Sequence, residues 1–175
     1  AQKLIVIRGA KSVVPALEKM AAGNQSFWDK LMFWKKSVSP VGRIHALWTL
    51  DGLQALNKDL LFQAFQDEDP QVRKAAVWIC DPYVKKDDPQ VLEKLGTLMN
   101  DTSADVRFQL SLTLRFGQSA KAQSMLKEIL AHNTNNEVIT ASWNRNEEFK
   151  RASALESRIA GMSDKDRKSV EEGKS

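Results

Sequence analysis

Two histidines, His45 and His132, and one cysteine, Cys80, are the only side chains of their kinds in the chain. His45 and His132 stand 87 positions apart, and neither has Cys, His or carboxylate at ligand spacing. There is no Ser or Cys nucleophile motif, no Gly-rich phosphate loop and no CxxCH haem attachment. The sequence therefore supplies no candidate catalytic, cofactor-binding or metal-binding residue, and no active site is expected within it. Asn24-Gln25-Ser26 and Asn100-Asp101-Thr102 fit the glycosylation sequon, a pattern short enough to arise by chance. The reactive-looking groups that do recur are charged pairs six residues apart, Asp67 with Arg73 and Asp101 with Arg107.

The elements that carry those pairs repeat. Aligning Arg43 (GRIHALWTL), Arg73 (VRKAAVWIC) and Arg107 (VRFQLSLTL) gives spacings of 30 and 34 residues. In this register Trp48 meets Trp78, and Ala46 meets Ala76 and Leu110. Apolar residues at 72, 75, 76, 79 and 80 follow the i, i+3, i+4, i+7 rule for one helix face. A second apolar helix follows each first one, marked by Leu60, Leu61, Ala64 and Phe65, by Val91, Leu92, Leu95, Leu98 and Met99, and by Ala122, Met125, Leu126, Ile129 and Leu130. Each hairpin is too small to bury its own face, so neighbours must stack.

Punctuation agrees with that frame. Ser39-Pro40, Asp69-Pro70 and Asp88-Pro89 each set an N-cap side chain before Pro at the first helical position. Asp81-Pro82 predicts a break in the helix begun at Pro70, and Asp51-Gly52 predicts the close of the helix holding His45 and Trp48. Residues 1–9 read as the tail of a helix whose start is missing, with 12–22 as its partner and Pro15 in the partner's first turn. After a break at Gly23 to Ser26, Phe27, Leu31 and Trp34 share one side of a helix, fringed by Lys30, Lys35 and Lys36. After Asn133 the frame decays. Short helices are expected at 137–143 and 147–159, and Ser163 with Asp166 could cap a last charged one that has too few apolar residues to require order. The chain is thus divided into a helical domain over 1–160 and a charged tail over 161–175.

Composition bounds the partners. With Lys+Arg 26 against Asp+Glu 22 the net charge is +4, both signs spread along the chain, too weak to indicate nucleic acid or an anionic membrane. No apolar run nears the roughly 20 residues of a membrane span. No secretory signal is recognisable at the start. Cys80 lies on a core stripe, so it is expected as a small buried hydrophobe. His45 aligns with Ala75 and Gln109, also on the inner stripe, and is expected to be buried there.

The repeated units resemble the HEAT-repeat family, whose pattern sets an Asp in the turn and a basic residue six positions on. The resemblance implies an all-α superhelix of about four stacked hairpins, with an inter-repeat ladder formed by Asp67, Arg73, Asp101 and Arg107. Arg43 departs from the pattern because Ser37 stands where the Asp belongs, so the ladder is expected at two positions and not the third. More narrowly, QKLIVIRGAKSVVPALEKM, GRIHALWTLDGLQAL, DEDPQVRKAAVWI and the terminal DRKSVEEGKS resemble the HEAT-like region of large bacterial secreted or membrane-bound dehydrogenase-like proteins. There a propeller precedes the helical array and a c-type cytochrome domain follows.

That resemblance implies a non-catalytic spacer or docking module in the periplasm or cell envelope, contacting protein or sibling domains. Haem c would lie in a following domain, not in this fragment; without the resemblance, a cytoplasmic protein is expected. Two alternatives come from other HEAT-like families: a DNA-binding domain like the alkylpurine DNA glycosylases, and a bilin-lyase-type enzyme. Against the first, Lys58, Asp59, Glu68, Glu93, Lys94, Lys121, Lys127 and Glu128 cancel along the second helices and their flanks, the face expected to bind. Nothing in the residues calls for the second. If a surface site exists, it is expected near Trp34, Arg43 and Trp48; the competing reading makes Trp48 and Trp78 a packing column between units.

Overall fold

The computed structural model describes residues 2–23 and 38–132, together with the single helical positions 141, 144 and 151. The chain divides into two compact units, Ala1–His132 and Asn133–Ser175. The expected aromatic helix around Trp34, the helices after Asn133 and the boundary after residue 160 lie outside the described residues.

The described residues are all-helical, without a strand. In chain order the helices are α1 (Gln2–Ile7), α2 (Val14–Ala21), α3 (Pro40–Gly52), α4 (Lys58–Ala64), α5 (Pro70–Ile79), α6 (Asp81–Val84), α7 (Pro89–Gly96), α8 (Ala104–Leu114) and α9 (Ala120–His132), with one 3-10 turn at Lys11–Val13. They form two layers. In the first, α1 packs on α3, α3 on α5 and α5 on α8; in the second, α2 meets α4 and α7 meets α9. The layers join through α2 with α3, α4 with α5 and α8 with α9. This is the stack of hairpins that the 30- and 34-residue spacings predict.

The starts are set by side chains. Ser39 Oγ accepts the Gly42 N–H at 3.2 Å, Asp69 accepts that of Gln71 at 2.8 Å, and Asp88 accepts those of Gln90 and Val91 at 3.1 and 3.2 Å. In each case Pro follows at the first helical position, where its missing N–H costs nothing. The helix begun at Pro70 ends at Ile79, and Asp81–Val84 continues as a separate turn, as Asp81-Pro82 predicts.

Between the layers, Leu47, Leu50, Leu61, Val72, Leu95, Leu110 and Ile129 are fully buried. Each contributes about 1.5–3 kcal/mol by leaving water, against roughly 0–1 for an exposed ion pair. Burial of these stripes therefore drives stacking, and charge can only set its register. Cys80 is buried in the same core, its Sγ 3.3 Å from the Ala76 carbonyl, and burial pushes its thiol well above the ordinary range. A thiol held neutral in that way is not a nucleophile.

One local expectation is corrected. His45 is exposed, not on the inner stripe. Ala75 and Gln109 are buried, whereas His45 faces out, where its ring and carbonyl meet the Gln2 side chain of α1. The helix does close at Asp51-Gly52, as expected, although the left-handed residue that follows is Gln54, with φ of +54°. Gly52 also admits α1, since a Cβ there would lie 3.0 Å from Val6 Cγ2.

Gly117 is the tightest point, where an added Cβ would come within 2.4 Å of the Ala122 Cβ. Replacing Gly117 by Ala should cost about 1–3 kcal/mol, as overpacking does. Gly96→Ala, whose new methyl meets nothing nearer than 3.9 Å, should be neutral or stabilise by up to about 1 kcal/mol through helix propensity. Urea unfolding of the two variants checks the pair; equal stabilities would contradict the packing at the α8–α9 turn.

Candidate functional site

The recurring Asp and Arg residues meet across hairpin boundaries. Arg73 donates from Nε to Asp101 Oδ2 at 2.7 Å and from Nη2 to Asp101 Oδ1 at 2.8 Å, a two-pronged grip on the next unit's carboxylate. Its Nη1 donates to the Asp67 carbonyl in its own turn at 2.8 Å. Asp101 Oδ1 also accepts the Ser103 N–H at 2.8 Å, so one carboxylate closes its own turn and holds the preceding repeat.

Arg43 does the same one step earlier, contrary to the expectation drawn from Ser37. Its Nη2 donates to Asp67 Oδ1 at 2.9 Å and its Nη1 to the Val38 carbonyl at 2.7 Å. Nε lies 2.8 Å from Asp67 Oδ2, a close charge contact in which the N–H is aimed off the oxygen. Asp67 Oδ1 in turn accepts the Asp69 N–H at 2.8 Å. The carboxylate each Arg needs comes from the following unit, so an Asp six residues upstream of Arg43 is dispensable. Arg107 donates to the Asp101 carbonyl, repeating the own-turn half of the pattern.

A parallel tie links the second layer, where Lys58 at the start of α4 reaches the Asp88 cap of α7 at 2.5 Å. That bond holds the Asp88 carboxyl below its ordinary range. Asp87, with φ of +50°, accepts the Gln118 and Ser119 N–H groups at the start of α9, which likewise lower it. Sequence reasoning missed both, because a turn Asp followed by Asp-Pro reads as a local cap. The 30-residue offset between Lys58 and Asp88, equal to that between Arg43 and Arg73, is the signal that could have revealed the first.

The surface expectation divides. Trp34 lies outside the described residues. Arg43 and Trp48 are not brought together: five positions at 3.6 per turn sets them about 140° apart around α3, and Arg43 is only 5% exposed. Trp48 and Trp78 do meet, edge to face, with ring centroids 5.3 Å apart. They form a column between units as the register predicts, yet Trp78 remains 52% exposed. Beside Trp48, α1 and α3 enclose a groove of about 720 Å³ lined by Gln2, Lys3, Val6, Ile7, Trp48, Asp51 and Gly52. Burial raises the Asp51 carboxyl above its ordinary range. Of the large apolar side chains left exposed among the described residues, Leu4, Ile7, Val41 and Trp78 belong to the first layer and only Met20 to the second. The apolar surface is therefore on the opposite layer from the second-helix face first expected to bind.

Among the described residues no cluster of three or more His, Cys, Asp or Glu could hold a metal ion, and no helix is long and apolar enough to cross a membrane.

Residues 58–143 match the family described as HEAT repeats, which supports a HEAT-repeat domain. The Arg43–Asp67 step extends the same geometry upstream of that match. No curated protein and no solved structure matches the chain.

Asp101→Asn tests the ladder. Burial raises the Asp101 carboxyl, but the Arg73 bonds and the Ser103 N–H outweigh it, and the net shift is downward. Stability from a lowered carboxyl is present in full above the ordinary value near 3.9 and is lost as pH falls through the lowered one. The variant should thus lose about 2–3 kcal/mol at pH 7, the scale of charged hydrogen bonds, with the gap to the parent closing in acid. Asp105→Asn, at the exposed 3.8 Å contact with Lys74, should change stability by less than about 1 kcal/mol. Denaturant midpoints across pH check both; a pH-independent gap would refute the charge account.

Proposed function

Starting from a HEAT-repeat domain with an exposed aromatic face, we propose that this chain is a non-catalytic protein-binding and spacer module that uses its first helical layer. HEAT repeats generally mediate protein–protein interactions. The observation that carries the reading is the Trp48–Trp78 pair, half-open to solvent beside an apolar groove. Aromatic side chains are costly to leave exposed and are enriched where proteins dock.

Nucleic acid is the less favoured partner. A phosphate track needs unpaired cations along one surface, whereas Arg43, Lys58 and Arg73 are engaged by Asp67, Asp88 and Asp101. On the resemblance of the quoted segments, the partners would be sibling domains of a dehydrogenase-like chain or its cytochrome domain. A haem-attachment motif downstream in the full-length gene product is the observation that tests this narrower reading.

Photo-crosslinking tests the broader one. A benzophenone amino acid at Trp78 in the full chain, expressed in its native host, should capture a defined protein or sibling domain that the same group at exposed Glu93 does not. Equal capture at both positions would remove the first-layer assignment, and capture at neither would remove the protein-binding reading. Duplex DNA at low salt should give no gel shift; a salt-sensitive shift would reinstate nucleic acid.

A further inference from the structure

The groove between α1 and α3 holds a charged group that the ties of the stack do not use. Asp51 is half-buried there, and among the described residues its carboxylate has no hydrogen-bond or ion-pair partner. The other half-buried Asp residues are all engaged: Asp67 by Arg43, Asp69 by the Gln71 N–H, Asp81 by the Thr113 hydroxyl at 2.7 Å, Asp87 by the Ser119 N–H, Asp88 by Lys58 and Asp101 by Arg73. A desolvated, unpaired carboxylate is a cost that folding tolerates poorly. Its complement is a cation arriving from outside.

The walls narrow the kind of cation. Trp48, three residues before Asp51 on the same helix, lines the groove with it, and Trp78 meets Trp48 edge-on. Val6 and Ile7 supply aliphatic surface, Ile7 being 74% exposed. An ammonium is compact and strongly hydrated, whereas a guanidinium is planar, weakly hydrated, stacks on aromatic faces and takes a carboxylate with two parallel bonds. Its methylene stem suits an aliphatic wall. The volume, about 720 Å³, exceeds one side chain, so residues flanking the cation would enter too.

We infer that this groove is a seat for an arginine side chain within an apolar segment of a partner protein, with Asp51 receiving the guanidinium and Trp48 its flat face. The inference rests on the protein-binding reading and specifies what that surface recognises. Lys3 is the one opposing charge among the lining residues, and it sets an upper limit on affinity rather than filling the site, since it forms no ion pair with Asp51.

The probe is a short acetylated peptide amide, Leu-Arg-Leu, set against the same peptide with citrulline, which keeps the shape and removes the charge. Indole N–H signals of the ¹⁵N-labelled full chain, assigned with Trp48→Phe and Trp78→Phe, report binding. The arginine peptide should shift the Trp48 signal at millimolar concentration and bind at least about tenfold more tightly than the citrulline peptide, a difference near 1.4 kcal/mol. Asp51→Asn, with an unchanged melting temperature or a higher one, should erase that difference, and Lys3→Gln should strengthen arginine binding. No shift of the Trp48 signal, equal affinity for both peptides, or a preference that survives Asp51→Asn would each overturn the inference. The two readings fail separately. A partner crosslinked at Trp78 whose contacting segment lacks arginine sinks this inference and leaves protein binding intact, whereas absence of any crosslink sinks protein binding itself.

Discussion

A guanidinium withdrawn from water between two helical hairpins must find both a negative charge and enough acceptors for its five donors. Arg43 and Arg73 meet that requirement in the same arrangement, save that the Arg43 Nε–H is aimed off the carboxylate. Each takes a carbonyl from its own turn and a carboxylate from the next unit's turn. Because Asp67 and Asp101 also close their own turns, the carboxylate cannot swing to follow a displaced partner. Apolar burial supplies the larger energy but is tolerant of sliding; the two-pronged grip is not, and it sets the register in which the stripes interlock.

The second layer is tied by other means. Lys58 reaches the cap of α7, and Asp87 reaches the start of α9, so each turn on that side borrows acceptors from its neighbour. Polar groups spent on such ties cannot serve a ligand. Paired charges hold both layers together, Arg43 and Arg73 in the first and Lys58 in the second, and the proposed recognition falls where charge is left over. Among the described residues Asp51 stands outside these ties, and it stands beside Trp48.

The groove itself follows from small dimensions. Gly52 lets α1 approach α3 closely at Val6, and Trp48 and Asp51 of α3 line the groove beside that contact.

Much of this was legible from residue order alone. Helical period, three Asp or Ser caps before Pro, the interruption at Asp81-Pro82 and the burial of Cys80 depend on neighbours within a few positions, where local sterics and hydrogen bonding dominate. Repeat spacing likewise announced stacked hairpins, because a hairpin with one apolar face has no other way to bury it. What required the tertiary arrangement were three partnerships across 24 to 32 residues: Asp67 for Arg43, Asp88 for Lys58 and Asp87 for the start of α9. Those depend on the rotation of one hairpin upon the next, which local propensity does not encode. The exposure of His45, the separation of Arg43 from Trp48 and the unpaired state of Asp51 were decided at the same level, since burial is a property of what lies opposite a side chain and not of the side chain itself.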